Sequence, residues 1–206
     1  MDPKMKAGLR LAYDADAERR NARDPERWRF EAVDDLVDRM LHEGLSTVLD
    51  IGSGTGQLAQ RMNGRGLDVM AVDLSPANVM CTQTRGVAAV VGDFSDLPFE
   101  DASFDGALAF NSLLHVPKSE LARVLTEIRR VLARGGLFKM LVWGGFDHEG
   151  PHEDDWLDPP RFFSFFADET FAALPTPGFT AIETSFLHEY AEDAGLHPQV
   201  KLLRAT

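Results

Sequence analysis

Residues Thr47 to Leu58 read Thr-Val-Leu-Asp-Ile-Gly-Ser-Gly-Thr-Gly-Gln-Leu, and no other stretch limits the fold as tightly. An apolar run closed by an acid and followed at once by three alternating glycines describes a buried strand that turns sharply into a helix. Gly52, Gly54 and Gly56 lack a Cβ, so the backbone there can take left-handed dihedrals and a ligand can lie directly against the main chain. A helix is expected from Gln57, with its free N–H groups and positive dipole end facing the same spot. Strand, turn and helix N-terminus together form a seat for a polar, partly anionic cofactor. The order Asp-x-Gly-x-Gly-x-Gly differs from the dinucleotide fingerprint Gly-x-Gly-x-x-Gly. Gly52 and Gly54 fit its first two positions, but its third falls on Gln57.

The remaining pattern repeats the strand-and-helix theme. Asp24-Pro25 predicts the start of a helix carrying Val33, Leu36, Val37, Met40 and Leu41 at helical spacing and ending at Gly44. The segment before it, residues 1–24, shows no strong period and is expected to be a mobile arm. After the glycine turn, strands are predicted over Leu67–Val72, Val87–Val91, Phe104–Phe110 and Leu137–Trp143, with helices from Ser75-Pro76 to about Thr84 and from Pro117 to Gly135-Gly136. A polar and aromatic insertion follows the fifth strand over residues 144–166. Asp168 is expected to cap a short helix, and Phe179–Leu187 with Gln199–Leu203 to close the sheet as an antiparallel pair.

A chain of 206 residues suits one domain over its whole length, large enough for a continuous core. No apolar run reaches membrane length, the charged N-terminus does not resemble a signal peptide, and a single cysteine, Cys81, fits the cytoplasm. The formal charge of −12, with no long basic block, repels phosphate backbones, so neither nucleic acid nor membrane is an expected partner. A small molecule or a basic partner remains open. No pattern in the sequence specifies an oligomeric state.

In an open, doubly wound sheet, ligands bind beyond the carboxyl ends of the central strands. Here each of the first four strands delivers a polar residue to that edge: Asp50 with the glycines, Asp73, Asp93 and Asn111. A carboxylate at the tip of a strand, as at Asp73, can take both hydroxyls of a ribose. Asp93 with Phe94 offers an acid, a backbone N–H and a ring, a combination suited to adenine. Each acid alone is equally at home as a turn residue or helix cap.

With these residues in view, the chain resembles a small class I S-adenosylmethionine-dependent methyltransferase, from about Tyr13 onward and most strongly over Val48–Met140. Val-Leu-Asp-Ile-Gly-Ser-Gly-Thr-Gly is similar to the family's first motif, Ala-Val-Asp-Leu-Ser-Pro to the second, Gly-Asp-Phe with Leu-Pro-Phe to the third and Ser-Phe-Asp-Gly-Ala to the fourth. Arg-Arg-Val-Leu-Ala-Arg-Gly-Gly resembles the motif before the fifth strand, with Arg134 where the family usually has proline. The resemblance implies a Rossmann-like, doubly wound, mostly parallel seven-stranded sheet of order 3-2-1-4-5-7-6, its last strand antiparallel, in three αβα layers. It implies S-adenosyl-L-methionine as cofactor and S-adenosyl-L-homocysteine as product. Gly52, Ser53, Gly54 and Gly56 would line the methionine part, Asp73 would hold the ribose, Asp93 and Phe94 the adenine, Asn111 would lie near the sulfonium, and Asp50 and Leu74 would belong to the same cofactor site. Tyr13 resembles the tyrosine of an N-terminal Tyr-Asp element that folds over the cofactor as a lid and would belong to the cofactor site, although the family's second aromatic is absent and Arg20 stands near its place.

The expected reaction is methyl transfer to an oxygen, nitrogen or carbon of a small molecule by in-line displacement, which needs placement and dryness more than a base. If a base acts, His115 is the first candidate; the other reading is a histidine packed at a strand-to-helix turn. His148 and His152, among Asp147, Glu149, Glu153, Asp154 and Asp155, suggest a solvated acidic loop more than a metal site, so no metal is expected. Phe162, Phe163, Phe165 and Phe166 either wall a substrate pocket or anchor the insertion. Two other functions stay open on the sequence: a nicotinamide-dependent oxidoreductase, against which the glycine spacing argues, and a non-catalytic cofactor-binding or regulatory module.

Overall fold

A computed structural model describes residues 2–191 and 195–206. In chain order the elements are α1 (Pro3–Asn21), α2 (Arg27–His42), β1 (Thr47–Ile51), α3 (Gln57–Gly64), β2 (Asp68–Asp73), α4 (Pro76–Thr84), β3 (Ala88–Val91), β4 (Phe104–Phe110), α5 (Lys118–Val131), β5 (Leu132–Gly144), β6 (His148–Pro151), β7 (Phe162–Phe165), α6 (Asp168–Ala172), β8 (Phe179–Phe186) and β9 (His197–Ala205). Seven strands hydrogen-bond in the order β3-β2-β1-β4-β5-β9-β8. The first five run parallel, β9 is antiparallel to β5, and β8 is antiparallel to β9. With the separate β6–β7 hairpin set aside, this is the expected 3-2-1-4-5-7-6 sheet.

Alternation along the central strands divides the core between two faces. Val48, Leu108, Phe110, Leu137 and Leu141 meet Val33, Leu36, Val37 and Met40 of α2 and Ala59 and Met62 of α3. Leu49, Ile51, Ala107, Ala109, Phe138 and Met140 meet Leu121, Val124, Leu125, Ile128 and Val131 of α5. Helices thus cover both faces of a sheet whose central strands are buried on both sides. Lys139, buried on the α2 face, is held by the Ala32 carbonyl and Asp35, each at 2.7 Å. Among the described residues no helix is long and apolar enough to cross a membrane.

Several local expectations need correction. The N-terminal arm is a 19-residue helix, capped by Asp2, whose carboxylate accepts from the backbone N–H of Lys4 and Met5. Its buried stripe is Leu9, Ala12, Asp16 and Ala17, which has helical spacing but a single large apolar residue, so the period is masked in the sequence. Helix α2 starts two residues beyond Asp24-Pro25, with Glu26 at the cap position. Helix α5 stops at Val131 rather than at the glycine pair, because Leu132 already pairs with Phe104 in the sheet. Asp168 is the first helical residue of α6, with Ala167 at the cap. The insertion folds as the β6–β7 hairpin, invisible in the sequence because β6, His-Glu-Gly-Pro, has no apolar alternation.

Leu36 is fully buried and joins α2 to the sheet. Leu36→Ala is expected to cost about 2–5 kcal/mol in urea denaturation, and a loss below about 1 kcal/mol would mean that α2 does not carry this face of the core.

Candidate active site

Strand order reverses between β1 and β4, the place beyond whose carboxyl ends an open sheet of this kind forms its ligand crevice. Asp50 lies there on β1, 2% exposed, with its Oδ2 buried and without a hydrogen-bond partner. Ser53 Oγ in the glycine turn and Asn111 Oδ1 just past β4 are likewise buried and unpartnered. Asn111 adopts φ 56°, a left-handed conformation that asparagine tolerates better than most residues. Burial, reinforced by the negative charge of Asp73, pushes the Asp50 carboxyl up to about 7.

The three glycines serve different neighbours. A Cβ at Gly52 would stand 2.3 Å from Ser112 Cβ, and one at Gly56 would stand 2.8 Å from Thr82 Cα, so both positions are small because protein packs against them. At Gly54, φ is +56° and the space is open. Only there does the backbone lie bare as expected of all three. Ser112 Oγ donates to the Ile51 carbonyl at 2.7 Å and Thr82 Oγ1 to the Gly54 carbonyl at 3.1 Å, fixing the turn from both sides.

At the end of β2, Asp73 Oδ2 accepts from Gly54 N at 2.8 Å, while Oδ1 accepts from Ser75 N at 2.9 Å and Asn78 Nδ2 at 3.2 Å. Burial raises its pKa against these donors, which pull the other way. One lone pair of Oδ2 is spare, so a two-oxygen grip on a ribose requires Asn78 to release Oδ1. Leu74 beside it is half-buried. After β3, Asp93 accepts from Ser95 N and Oγ, both at 2.8 Å, and forms an ion pair with Lys6 of α1. Hydrogen bonds from Lys6 and Ser95 outweigh burial and hold its pKa below the usual carboxylate range. Phe94 packs partly buried against the core.

Helix α1 lies across this edge. Asp14 Oδ1 accepts from Ser75 Oγ at 2.5 Å and Ala77 N at 3.2 Å, joining the cap of α4, and Gln57 Nε2 donates to the carbonyls of Arg20 and Arg23. Arg20 stands where the resemblance places a second aromatic, and its guanidinium lies 4.9 Å from the Tyr13 ring centre. Tyr13 also meets His115, which is 3% exposed in the turn after β4. His115 Nδ1 lies 2.7 Å from the Phe162 carbonyl, which can only accept, so Nδ1 carries the hydrogen. Its Nε2 therefore accepts from the Tyr13 hydroxyl at 2.6 Å, and that oxygen accepts from Arg161 Nη1 at 3.1 Å. Arg161 is clamped in turn by Asp155. Burial drives the imidazole pKa down to about 3, so His115 is neutral and committed at both nitrogens near neutral pH.

The sequence singled out Tyr13 and His115 but not Arg161, Asp14 or Lys6, since solitary charged residues far apart in the chain carry no pattern. His148 and His152 pack on Phe165; of the acids around them Asp154 lies 3.8 Å from His152 Nδ1, whereas Asp147 pairs with Lys118, Glu149 accepts from Lys118 N, and Asp155 holds Arg161. Phe163, Phe165 and Phe166 are buried and join the core on the α5 face, while Phe162 is half-buried.

Residues 49–140 match the family described as a methyltransferase domain. An O-methyltransferase of Aspergillus nomiae is 35% identical over 182 residues, covering 78% of this chain and 78% of its own length. The chain belongs to the class I S-adenosylmethionine-dependent methyltransferases. An uncharacterized methyltransferase of Mycobacterium tuberculosis is 36% identical over 124 residues, 59% of this chain; the match spans 49% of that relative, about half its length. Among solved structures, the 1,6-didemethyltoxoflavin-N1-methyltransferase of Burkholderia thailandensis, with its substrate and S-adenosylhomocysteine bound, superposes with a TM-score of 0.73 at 25% identity. That likeness covers 100% of this chain and 91% of the other. The likeness thus extends beyond the matched motifs to the whole described fold, N-terminal helix and hairpin included.

Ring-nitrogen NMR at neutral pH is expected to find His115 as the neutral Nδ1–H form, with no protonation above about pH 4. A His115 resonance titrating near the ordinary 6.5 would overturn the directional chain from Arg161 to Phe162.

Proposed function

We propose that this chain transfers a methyl group from S-adenosylmethionine to an oxygen, nitrogen or carbon of a small-molecule acceptor. The observation that carries the reading is the set of buried, unpartnered polar atoms on neighbouring strand ends, Asp50 Oδ2, Ser53 Oγ and Asn111 Oδ1, beside the bare backbone of Gly54. Buried polar atoms left unpaired cost about 1–3 kcal/mol each, and a ligand bearing an ammonium and hydroxyls suits them. The family supplies such a ligand.

In this reading Asp50, Ser53 and the Gly52–Gly56 backbone hold the amino-acid end, Asp73 and Leu74 the ribose, Asp93 and Phe94 the adenine, and Asn111 borders the sulfonium. The cofactor brings a methyl group already activated for displacement. The protein's share is to place the acceptor and exclude water. Tyr13, pinned between His115 and Arg161, is the group we assign to the acceptor side. His115 serves there as a positioning residue, since a neutral imidazole with both nitrogens engaged takes up no proton. The net charge of −12 supports a small acceptor over nucleic acid. The relatives named above are methyltransferases, which favours this reading over the nicotinamide-dependent one. A non-catalytic module is distinguished by binding S-adenosylmethionine without turning it over against any small nucleophile.

Calorimetric titration with S-adenosylhomocysteine is expected to show one site, weakened roughly 10- to 100-fold by Asp73→Asn, in proportion to a lost charged hydrogen bond. No binding by the wild type, or full affinity in the variant, would count decisively against the reading.

The same titration reports on Asp50. Its carboxyl is raised from 3.8 to about 7, so the free protein keeps it protonated below that value, and an ammonium ligand requires it ionised. Affinity is therefore expected to rise with pH up to about 7 and then level off, and Asp50→Asn to abolish the slope as well as weaken binding. A slope that survives in Asp50→Asn assigns the proton to another group.

A further inference from the structure

A second group of ligating side chains, independent of the cofactor reading, sits where β9 begins. His197 opens β9, His188 lies in the single helical turn His188–Tyr190 after β8, and Asp168 opens α6. One ligand atom from each lies within 4.8 Å of the other two. His197 Nε2 is 2.8 Å from Asp168 Oδ1, His188 Nε2 is 3.4 Å from Asp168 Oδ2, and the two imidazole rings are 4.1 Å apart between centres.

The surroundings aim these groups at one another. His197 is buried, and its Nδ1 lies 3.3 Å from the Gly195 carbonyl, which can only accept. With the hydrogen on Nδ1, the Nε2 lone pair faces a carboxylate oxygen, and two acceptors at that distance need a proton or a cation between them. A carbonyl on the far nitrogen is the arrangement that fixes a metal-ligating histidine. Gln199, fully buried, donates to Asp168 Oδ1 at 2.7 Å and to the Phe166 carbonyl at 2.9 Å, orienting the carboxylate. Gly145 makes room for the ring: a Cβ there would stand 2.4 Å from the Gly195 carbonyl oxygen and 3.0 Å from His197 Cε1. His188, 63% exposed, leaves the outer side open to water.

We propose that Asp168, His188 and His197 bind a divalent transition-metal cation of the zinc class, with water completing the shell. Two imidazoles and one carboxylate suit zinc and its neighbours, whereas magnesium and calcium prefer all-oxygen shells. The ion would tie the connection between β8 and β9 to α6. That connection carries Tyr190, which stacks on Trp28 with ring centres 5.1 Å apart, and Trp28 packs on Phe110 at the tip of β4. Occupancy therefore stiffens an aromatic wall on the same sheet edge as the crevice.

The test uses the full chain without an affinity tag, stripped with a chelator and titrated with zinc chloride alone by calorimetry. One equivalent is expected to bind, with affinity reduced at least about tenfold in His188→Ala and in Asp168→Asn. His188 is exposed, so His188→Ala keeps the fold, checked by an unchanged thermal melt in chelator, and zinc is expected to raise the melting temperature of the wild type but not of this variant. No zinc binding by the wild type, undiminished binding by His188→Ala, or equal preference for magnesium overturns the proposal.

Discussion

Two carboxylates withdrawn from water at the ends of neighbouring strands set the terms for this structure. Asp73 survives burial because three N–H groups point at it, and the turn after β1 is shaped to supply one of them, from Gly54. Asp50 has no such compensation for its Oδ2, and it feels the charge of Asp73 besides. A site of this kind is destabilising by itself, at about 1–3 kcal/mol per unpaired buried group against a net stability of roughly 5–15 kcal/mol for a whole domain. The rest of the fold has to hold it in place. The two-sided core does so, with α2 and α3 on one face of the central strands and α5 on the other.

Helix α1 is attached by a different physics. Its apolar burial is slight, Leu9, Ala12 and Ala17, and its attachments are mostly polar: Asp14 to the cap of α4, Lys6 to Asp93, Asn21 to Arg85, and its C-terminal carbonyls to Gln57. Exposed and half-exposed polar links contribute little singly and are exchanged readily with water. Tyr13 is the exception, held between the buried His115 and Arg161, so α1 is anchored firmly at one point and by weak links elsewhere. In the pose proposed for the cofactor, Lys6 and the adenine draw on the same carboxylate, so the position of α1 and the occupancy of the crevice are coupled through Asp93.

How much of this was readable follows from how local each signal is. Strand β1, the glycine turn and α3 were legible because their determinants are contiguous, and Asp73, Asp93 and Asn111 because each sits at the end of an apolar run. The left-handed turn at all three glycines was legible as well, but not the crowding of two of them, since what crowds Gly52 is Ser112 and what crowds Gly56 is Thr82, both remote in sequence. Helix α1 was read as a mobile arm because its buried stripe contains Asp16, neutralised by Arg19 and Arg20 from its own next turn. The hairpin of β6 and β7 carries no strand signal on its first side, since His-Glu-Gly-Pro has no apolar alternation, and so the region shows in the sequence only as a polar and aromatic insertion. For the crowded glycines the deciding contact lies outside the window in which periodicity is measured, whereas α1 is masked from within its own turns by a charge on the buried stripe.

The acceptor side illustrates the same point at the level of chemistry. Tyr13, His115 and Arg161 come from α1, the turn after β4 and the residue before β7, and Tyr13 and Arg161 are 148 positions apart. Once they are together, hydrogen-bond direction leaves a single arrangement of protons: Arg161 donates to Tyr13, Tyr13 to His115, and His115 to the Phe162 carbonyl. The guanidinium, 7% exposed, is balanced by Asp155, whose side chain is 0% exposed, so this wall presents a neutral phenol and a neutral imidazole over a cancelled ion pair. A wall without a free charge or an available base suits a reaction in which the leaving group is already activated. What such a wall contributes is geometry and the exclusion of water, and its hydrogen bonds are spent on rigidity rather than on proton transfer.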